Sequence, residues 1–316
     1  MAKPEIGIAR RTVAVIAVAL GIAVTGFCET VTNVRGVQRE NSNLVDIYYD
    51  LDAADGGTYT VEVAIEGRTT EVTATTFSGD VGDGVTPGRD RHVVWDAGAD
   101  WLNKKGEVKA TITTAKNDGR GKVQLWAGGP YWADRNVGAD KPEDYGLYFW
   151  WGDTTGHSPS GGTFGFSFYS SNCPTYGKTP EQLRSDGWIT SDGVLAPSHD
   201  AAHVKWGGFW RMPTSQELSD LMSKCDWTWD SKNGVNGYVV RGRGDYASKS
   251  IFLPAAGYGD GASLIGAGSY GLYWSSVPYS VSYNAFELFF SSGNHSTGRY
   301  LRGSGQSVRP VQGFTK

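Results

Sequence analysis

Glycine fills 44 of the 316 positions of this chain and follows no period of three. Each glycine inside a helix costs about 1 kcal/mol relative to alanine, so long helical bundles are a poor use of such a sequence. The missing period excludes a collagen triple helix. Disorder is excluded by 39% hydrophobic and 13% aromatic residues, among them 12 Trp, 16 Tyr and 12 Phe, which give the chain ample surface to bury. What remains is a loop-rich globular protein of one or two domains, ordered by large rings. With 29 Lys and Arg against 33 Asp and Glu, the formal charge is −4. That balance leaves no basic footprint for nucleic acid.

Lys3, Arg10 and Arg11 precede an almost wholly apolar run over residues 12–27. A basic start, an apolar run and small residues at its end predict a secretory signal peptide over residues 1–28, cleaved before Glu29. The run is short for a transmembrane helix, which takes about 20 apolar residues. Gly26 and Cys28 occupy the small-residue positions, and the bulky Phe27 argues against lipidation of Cys28. No later run is apolar enough to span a bilayer. The mature chain is therefore expected to be secreted, periplasmic or on the outer cell surface. Two cysteines remain, Cys173 and Cys225. An oxidising compartment permits a disulfide between them, which would stabilise by roughly 3–4 kcal/mol in the chain-entropy account. Two buried thiols are the alternative.

Residues 29–115 alternate apolar and polar. Leu44-Val-Asp-Ile-Tyr-Tyr-Asp-Leu51, Tyr59-Thr-Val-Glu-Val-Ala-Ile65, Glu71-Val-Thr-Ala-Thr-Thr-Phe77, Arg91-His-Val-Val-Trp95 and Val108-Lys-Ala-Thr-Ile112 read as strands separated by turns. That grammar predicts an all-β sandwich. Asp80 and Asp83 lack the EF-hand spacing and read as solvated turn carboxylates. The polar, glycine-rich stretch over residues 116–122 makes a natural linker. Beyond it lie ten of the twelve tryptophans. Two helices stand out: one opens at Thr179-Pro180, the other at the Thr214-Ser-Gln-Glu217 capping box, where Leu218, Leu221 and Met222 form an apolar stripe.

Six ordered blocks lie in residues 123–316: Tyr131-Trp-Ala133 with Asn136-Val-Gly138, Tyr145-Gly-Leu-Tyr-Phe-Trp-Trp-Gly-Asp153, Trp206-Gly-Gly-Phe-Trp-Arg-Met-Pro-Thr214, Ile251-Phe-Leu-Pro-Ala-Ala-Gly257, Tyr273-Trp-Ser-Ser276 and Gln306-Ser-Val-Arg-Pro310. Together they resemble the Fibrobacter succinogenes major paralogous domain, a bacterial relative of the C-type-lectin and formylglycine-generating-enzyme fold. The resemblance implies an α+β chain: an N-terminal all-β sandwich, then a loop-rich C-type-lectin-like domain with two short helices and short antiparallel strands. Val31-Thr-Asn-Val-Arg35 and the Leu44 run look like a segment that precedes such domains in some exported bacterial proteins. Within the blocks, glycines should allow close backbone approach beneath rings, and Arg211 should meet a buried acceptor. Trp206, Trp210, Arg211, Trp274 and Arg309 are read as structural.

The related oxidases bind copper through a late cysteine pair, and this chain has no cysteine after Cys225. His199 and His203 are four apart, a zinc spacing on a helix, but no third ligand follows. No catalytic residue, metal or other cofactor is assigned. Lys141-Pro-Glu-Asp144 is not the calcium-binding triplet of sugar-binding C-type lectins, and Arg243-Gly-Asp245 is a three-residue match that arises by chance.

From Tyr273 to Pro310 a frame of Trp274, Ala285, Leu288, Phe290, Arg302 and Arg309 is interleaved with Tyr279, Tyr283, Asn284, Phe286, Phe289, Asn294, His295, Arg299 and Tyr300. Rigid rings with adaptable hydrogen-bonding groups suit a recognition surface. The segment resembles the variable proteins of diversity-generating retroelements, which place mutable residues on one ligand-binding face; an ordinary polar loop is the alternative. These nine residues are the candidate ligand-binding set. The functional reading is a non-enzymatic binding protein for a cell-surface protein or glycan. A metal-dependent oxidase and a structural envelope component are its rivals.

Overall fold

A computed structural model describes residues 14–15, 29–53, 57–68, 71–102, 106–117 and 119–313. Apart from Ala14–Val15, which pairs parallel to Glu107 and Val108, the signal-peptide reading lies outside the described residues. The chain is mostly β, with several antiparallel sheets and, among the described residues, no barrel. It divides into two compact units, Met1–Gly119 and Arg120–Lys316.

In the first unit, Glu29–Gln38, Leu44–Ala53, Gly88–Asp96 and Phe77–Gly79 form one sheet in that order. Ala14–Val15, Glu107–Lys116, Tyr59–Gly67 and Gly82–Val85 form the other. The period-two alternation decides what is buried. Val45, Ile47, Tyr49 and Leu51 of one sheet share a single core with Tyr59, Val61, Val63 and Ile65 of the other. Two sheets around one core make a sandwich.

Two local expectations need correcting. Residues 71–76 are not a strand. Instead the Asp100 carboxylate accepts the Thr75 and Thr76 amides at 2.8 Å each, and the Trp95 indole N–H at 2.9 Å. A β-branched run was outweighed by a carboxylate that satisfies its backbone. Asp80 and Asp83 are not simply solvated either. They accept the His92 amide at 2.9 Å and the Thr60 hydroxyl at 2.6 Å.

The second unit carries four three-stranded sheets. The one nearest its chain ends sets Tyr131–Ala133 between Val311–Gln312 and Lys122–Gln124. Both anticipated helices form, over Pro180–Ser185 and Ser215–Lys224, each closed by a reciprocal capping box. Leu218 and Leu221 of the longer one enter a core with Trp132, Val240 and Phe290. A third helix, Ala201–Trp206, escaped the sequence pattern because it has neither a capping box nor a proline in its first turn. Its cap is Asp200, whose carboxylate takes the His203 amide at 3.0 Å and the Met212 amide at 2.8 Å.

Glycine plays two distinct roles here. A Cβ on Gly271 would sit 2.0 Å from the Phe290 ring, so that backbone is pressed against an aromatic face. Gly207, in the Trp206 block, has nothing within 4 Å of such a Cβ but a φ of +68°. It ends the third helix in the left-handed region and does not serve a close approach. The expectation of a close approach is corrected for Gly207.

Cys173 and Cys225 are not joined: both are free, buried thiols. Cys225 sits in the Trp132 core, while Cys173 contacts Thr175 at 3.2 Å. Burial pushes both thiols up, that of Cys225 to about 11.

Candidate recognition face on the C-terminal meander

The segment read as a frame with polar insertions is an antiparallel meander, not a loop. Its strands are Tyr270–Pro278, Asn284–Ser291 and Asn294–Leu301. Leu288 and Phe290 are buried in the Trp132 core; Ala285 packs with Trp274 in a second core. The register against the last strand is unbroken, so Phe286 shares a face with Leu288 and Phe290, while Ala285 shares the other face with the buried Glu287.

Three of the nine candidates meet. Phe286 stands opposite Arg299 in the register, and its ring lies 5.0 Å from that of Tyr279 at 74°. The Arg299 guanidinium sits 4.8 Å from the Tyr279 ring centroid, with Nη1 3.5 Å from the phenol oxygen. A cation–π contact at an exposed site is worth about 0.5–1 kcal/mol. The cluster is therefore oriented more than it is stabilised.

Tyr283, 47% exposed, leads the neighbouring loop. Its ring lies 5.0 Å from that of Tyr176, a residue the sequence did not single out. Asn284 contributes through its backbone, where its carbonyl accepts Arg302 Nε at 2.9 Å. Arg302 is completely buried. It also donates to the carbonyls of Thr175 and Lys178 at 2.8 and 2.9 Å, and lies 5.1 Å from the Trp151 ring centroid. Burial lowers its pKa to about 10, which leaves it cationic at neutral pH. One guanidinium thus fixes the loop bearing Tyr176 against the loop bearing Tyr283.

The remaining candidates lie elsewhere, so the nine do not share one surface. Tyr300 faces the opposite side of the sheet from Arg299, edge-on to Tyr258 at 5.4 Å; burial and then the Tyr258 hydroxyl raise its pKa. His295 pairs with Phe290, four residues along from Phe286, a separation of about 13 Å on a strand. It stacks on Trp227 at 4.7 Å, and burial lowers its pKa. Asn294 begins the same end of that strand and is exposed. Phe289 lies 6.0 Å from Tyr270.

The residues read as structural are engaged throughout. Arg211 clamps Glu217 with two bonds of 2.7 and 2.6 Å. Trp274 donates to the Phe149 carbonyl at 2.8 Å. Arg309 donates to Asn136 Oδ1 at 2.9 Å and to the carbonyls of Ala133 and Phe252 at 3.1 and 2.8 Å. Trp206 carries the Arg120 guanidinium 4.5 Å over its ring and meets Trp210 edge-on. Arg243 of the Arg-Gly-Asp match is held by Asp226, Ser223 and Cys225. His199 stacks on Trp188 at 4.0 Å. Among the described residues no three of His, Cys, Asp and Glu cluster as metal ligands, and no helix is long and apolar enough to cross a membrane.

A family model described as a domain of unknown function (DUF8237) matches residues 206–311. The match runs from the Trp206 block through the whole meander to the terminal strand. No curated protein and no solved structure matches the chain.

Proposed function

We propose that the chain is an exported, non-enzymatic binding protein, in which a C-type-lectin-like scaffold behind a β-sandwich recognises a protein or glycan at a cell surface. The Tyr279–Phe286–Arg299 cluster carries this reading. Two ring planes and a cation stand preoriented, Phe286 and Arg299 on paired strands and Tyr279 just past the end of the first strand, beside the loop of Tyr283. Tyr, Phe and Arg give large contact area at low entropic cost, which is why they concentrate in binding hot spots. Short strands, long connections and glycine-pressed rings in the second unit support the scaffold assignment.

The same reading makes Tyr279, Tyr283, Phe286 and Arg299 positions that can vary without touching the buried frame of Leu288, Phe290 and Arg302. Diversification of them requires a reverse-transcriptase gene and a near-repeat of this coding segment in the neighbouring DNA.

The test is a screen of the labelled mature chain, residues 29–316, against a glycan array and a panel of intact bacterial cells. Saturable binding to a defined glycan or a protease-sensitive cell-surface target is the expected result. No binding in either format would overturn the proposal in favour of a structural envelope component.

A further inference from the structure

We infer that Glu287 is the floor of a second ligand site, on the face of the meander opposite the Tyr279 cluster, which takes a primary ammonium group on a narrow alkyl stem. Glu287 stands directly opposite Gly298 in the pairing of the last two strands, and the strand that carries Gly298 is an edge of its sheet. Any other residue there would lay a side chain over the carboxyl. A Cβ on Gly298 would meet only Glu287 Oε1, at 3.7 Å, with nothing else within 4 Å. Open space about the width of a methylene therefore adjoins that oxygen.

The carboxyl itself is half matched. Glu287 is 4% exposed, and its Oε2 accepts the Gln306 amide at 2.7 Å. No donor among the described residues reaches Oε1, and no lysine or arginine acts on the group. Buried polar atoms are nearly always paired, so an acceptor beside open space marks where a ligand's donor belongs. An ammonium gives the charge-assisted form of that bond, the stronger one.

The surroundings carry the same sign. Tyr300 lies two residues beyond Gly298, hence on the same face, and the carboxyls acting on it are those of Glu287 and Asp260. Its ring meets that of Tyr258 edge-on, at 5.4 Å and 71°. Asp260 follows two residues after Tyr258 on its strand and is exposed. Two carboxyls and two phenol rings attract a cation. A metal ion needs more ligands than this, and among the described residues no three of His, Cys, Asp and Glu cluster. A quaternary ammonium has no N–H to donate and is wider than the gap over Gly298. A primary ammonium satisfies both limits.

That chemistry has two sources, a free alkylamine and the lysine side chain of a partner. The experiment titrates n-butylammonium, tetramethylammonium and Nα-acetyllysine methylamide into the chain of residues 29–316 by ligand-observed NMR. Glu287→Gln keeps the shape and removes the charge. Gly298→Ala fills the gap from ordinary strand backbone, and an unchanged melting temperature would show that its fold is intact. Saturable n-butylammonium binding is expected at pH 8, lost in Glu287→Gln and weakened at least about fivefold in Gly298→Ala, with no binding of tetramethylammonium. Burial holds the carboxyl near a pKa of about 7, so affinity should fall about tenfold from pH 8 to pH 6 as the proton competes. Equal binding of the lysine amide would assign the site to a partner's lysine; its exclusion would assign it to a free amine. Absence of saturable n-butylammonium binding, or binding that survives Glu287→Gln, overturns the proposal. Tyr279→Ala should leave the titrations unchanged, which keeps this test independent of the surface reading.

Discussion

Arg302 Nη1 donates to the Thr175 carbonyl at 2.8 Å, joining positions 127 residues apart. Its other close acceptors, Lys178 and Asn284, are also backbone carbonyls. A planar fork can serve acceptors in several directions at once, whereas a lysine ammonium is a single point charge. Arg302→Lys and Arg302→Ala should both destabilise the second unit by about 3 kcal/mol or more, because orphaned carbonyls and lost volume act together. Urea unfolding checks the magnitude. A Lys variant as stable as wild type would show that the loops hold themselves.

Glu287 gives a pH dependence with a definite sign. It is buried opposite Trp274 and Gly298, accepting the Gln306 amide at 2.7 Å. Burial raises its pKa from 4.5 to about 7. The folded state therefore holds this proton more tightly than the unfolded chain does. Its contribution is fully present below the unfolded pKa and is lost as pH climbs through about 7, an effect of about 3 kcal/mol. The difference in unfolding free energy between wild type and Glu287→Gln should shift by that order between pH 4 and pH 8. A difference that is flat in pH would mean the carboxyl is solvated.

The two glycine roles separate by substitution. Gly271→Ala drives a methyl into the Phe290 ring and should cost about 2–3 kcal/mol through overpacking. Gly207→Ala meets no neighbouring atom, but φ +68° with ψ −165° is backbone that essentially only glycine adopts, at a cost of about 1–3 kcal/mol. In thermal unfolding the Gly271→Ala loss should shrink in a Phe290→Leu background and the Gly207→Ala loss should not; equal losses of Gly271→Ala in both backgrounds would contradict the packing described.

Both thiols should ignore redox conditions. Buried, with their ionisation suppressed, Cys173 and Cys225 should resist a thiol reagent in the native state and react in denaturant. Reducing agent should leave the melting temperature unchanged. A reductant-dependent drop would show that a disulfide forms after all.

Much of the fold was legible because local chemistry and tertiary context agree. The alternation at Val45, Ile47, Tyr49 and Leu51 named the buried face of a strand, and the capping boxes at Thr179 and Thr214 named two helix starts. The misses arose where a distant partner decided the outcome. Asp100 holds residues 75 and 76 out of a sheet, and no local pattern announces that. The candidate set was read as one face, yet strand alternation sends Tyr300 to the side opposite Arg299. Once a meander replaces a loop, period two splits the list. Tyr176 was invisible because it meets Tyr283 through long-range bonds, those of Arg302 and the Gly177 amide to the Ser282 carbonyl at 2.9 Å.

The central claim is that recognition resides at the Tyr279 end of the meander, and cell binding of paired variants tests it most directly. A labelled chain of residues 29–316 carrying Tyr279→Ala and Arg299→Ala is compared with one carrying Asn294→Ala and His295→Ala at the other end of the strands. Loss of at least about tenfold in apparent affinity for the first pair corresponds to removing one hot-spot cluster, with near wild-type binding for the second. Equal binding by both variants, or loss confined to the Asn294 and His295 pair, would contradict the account.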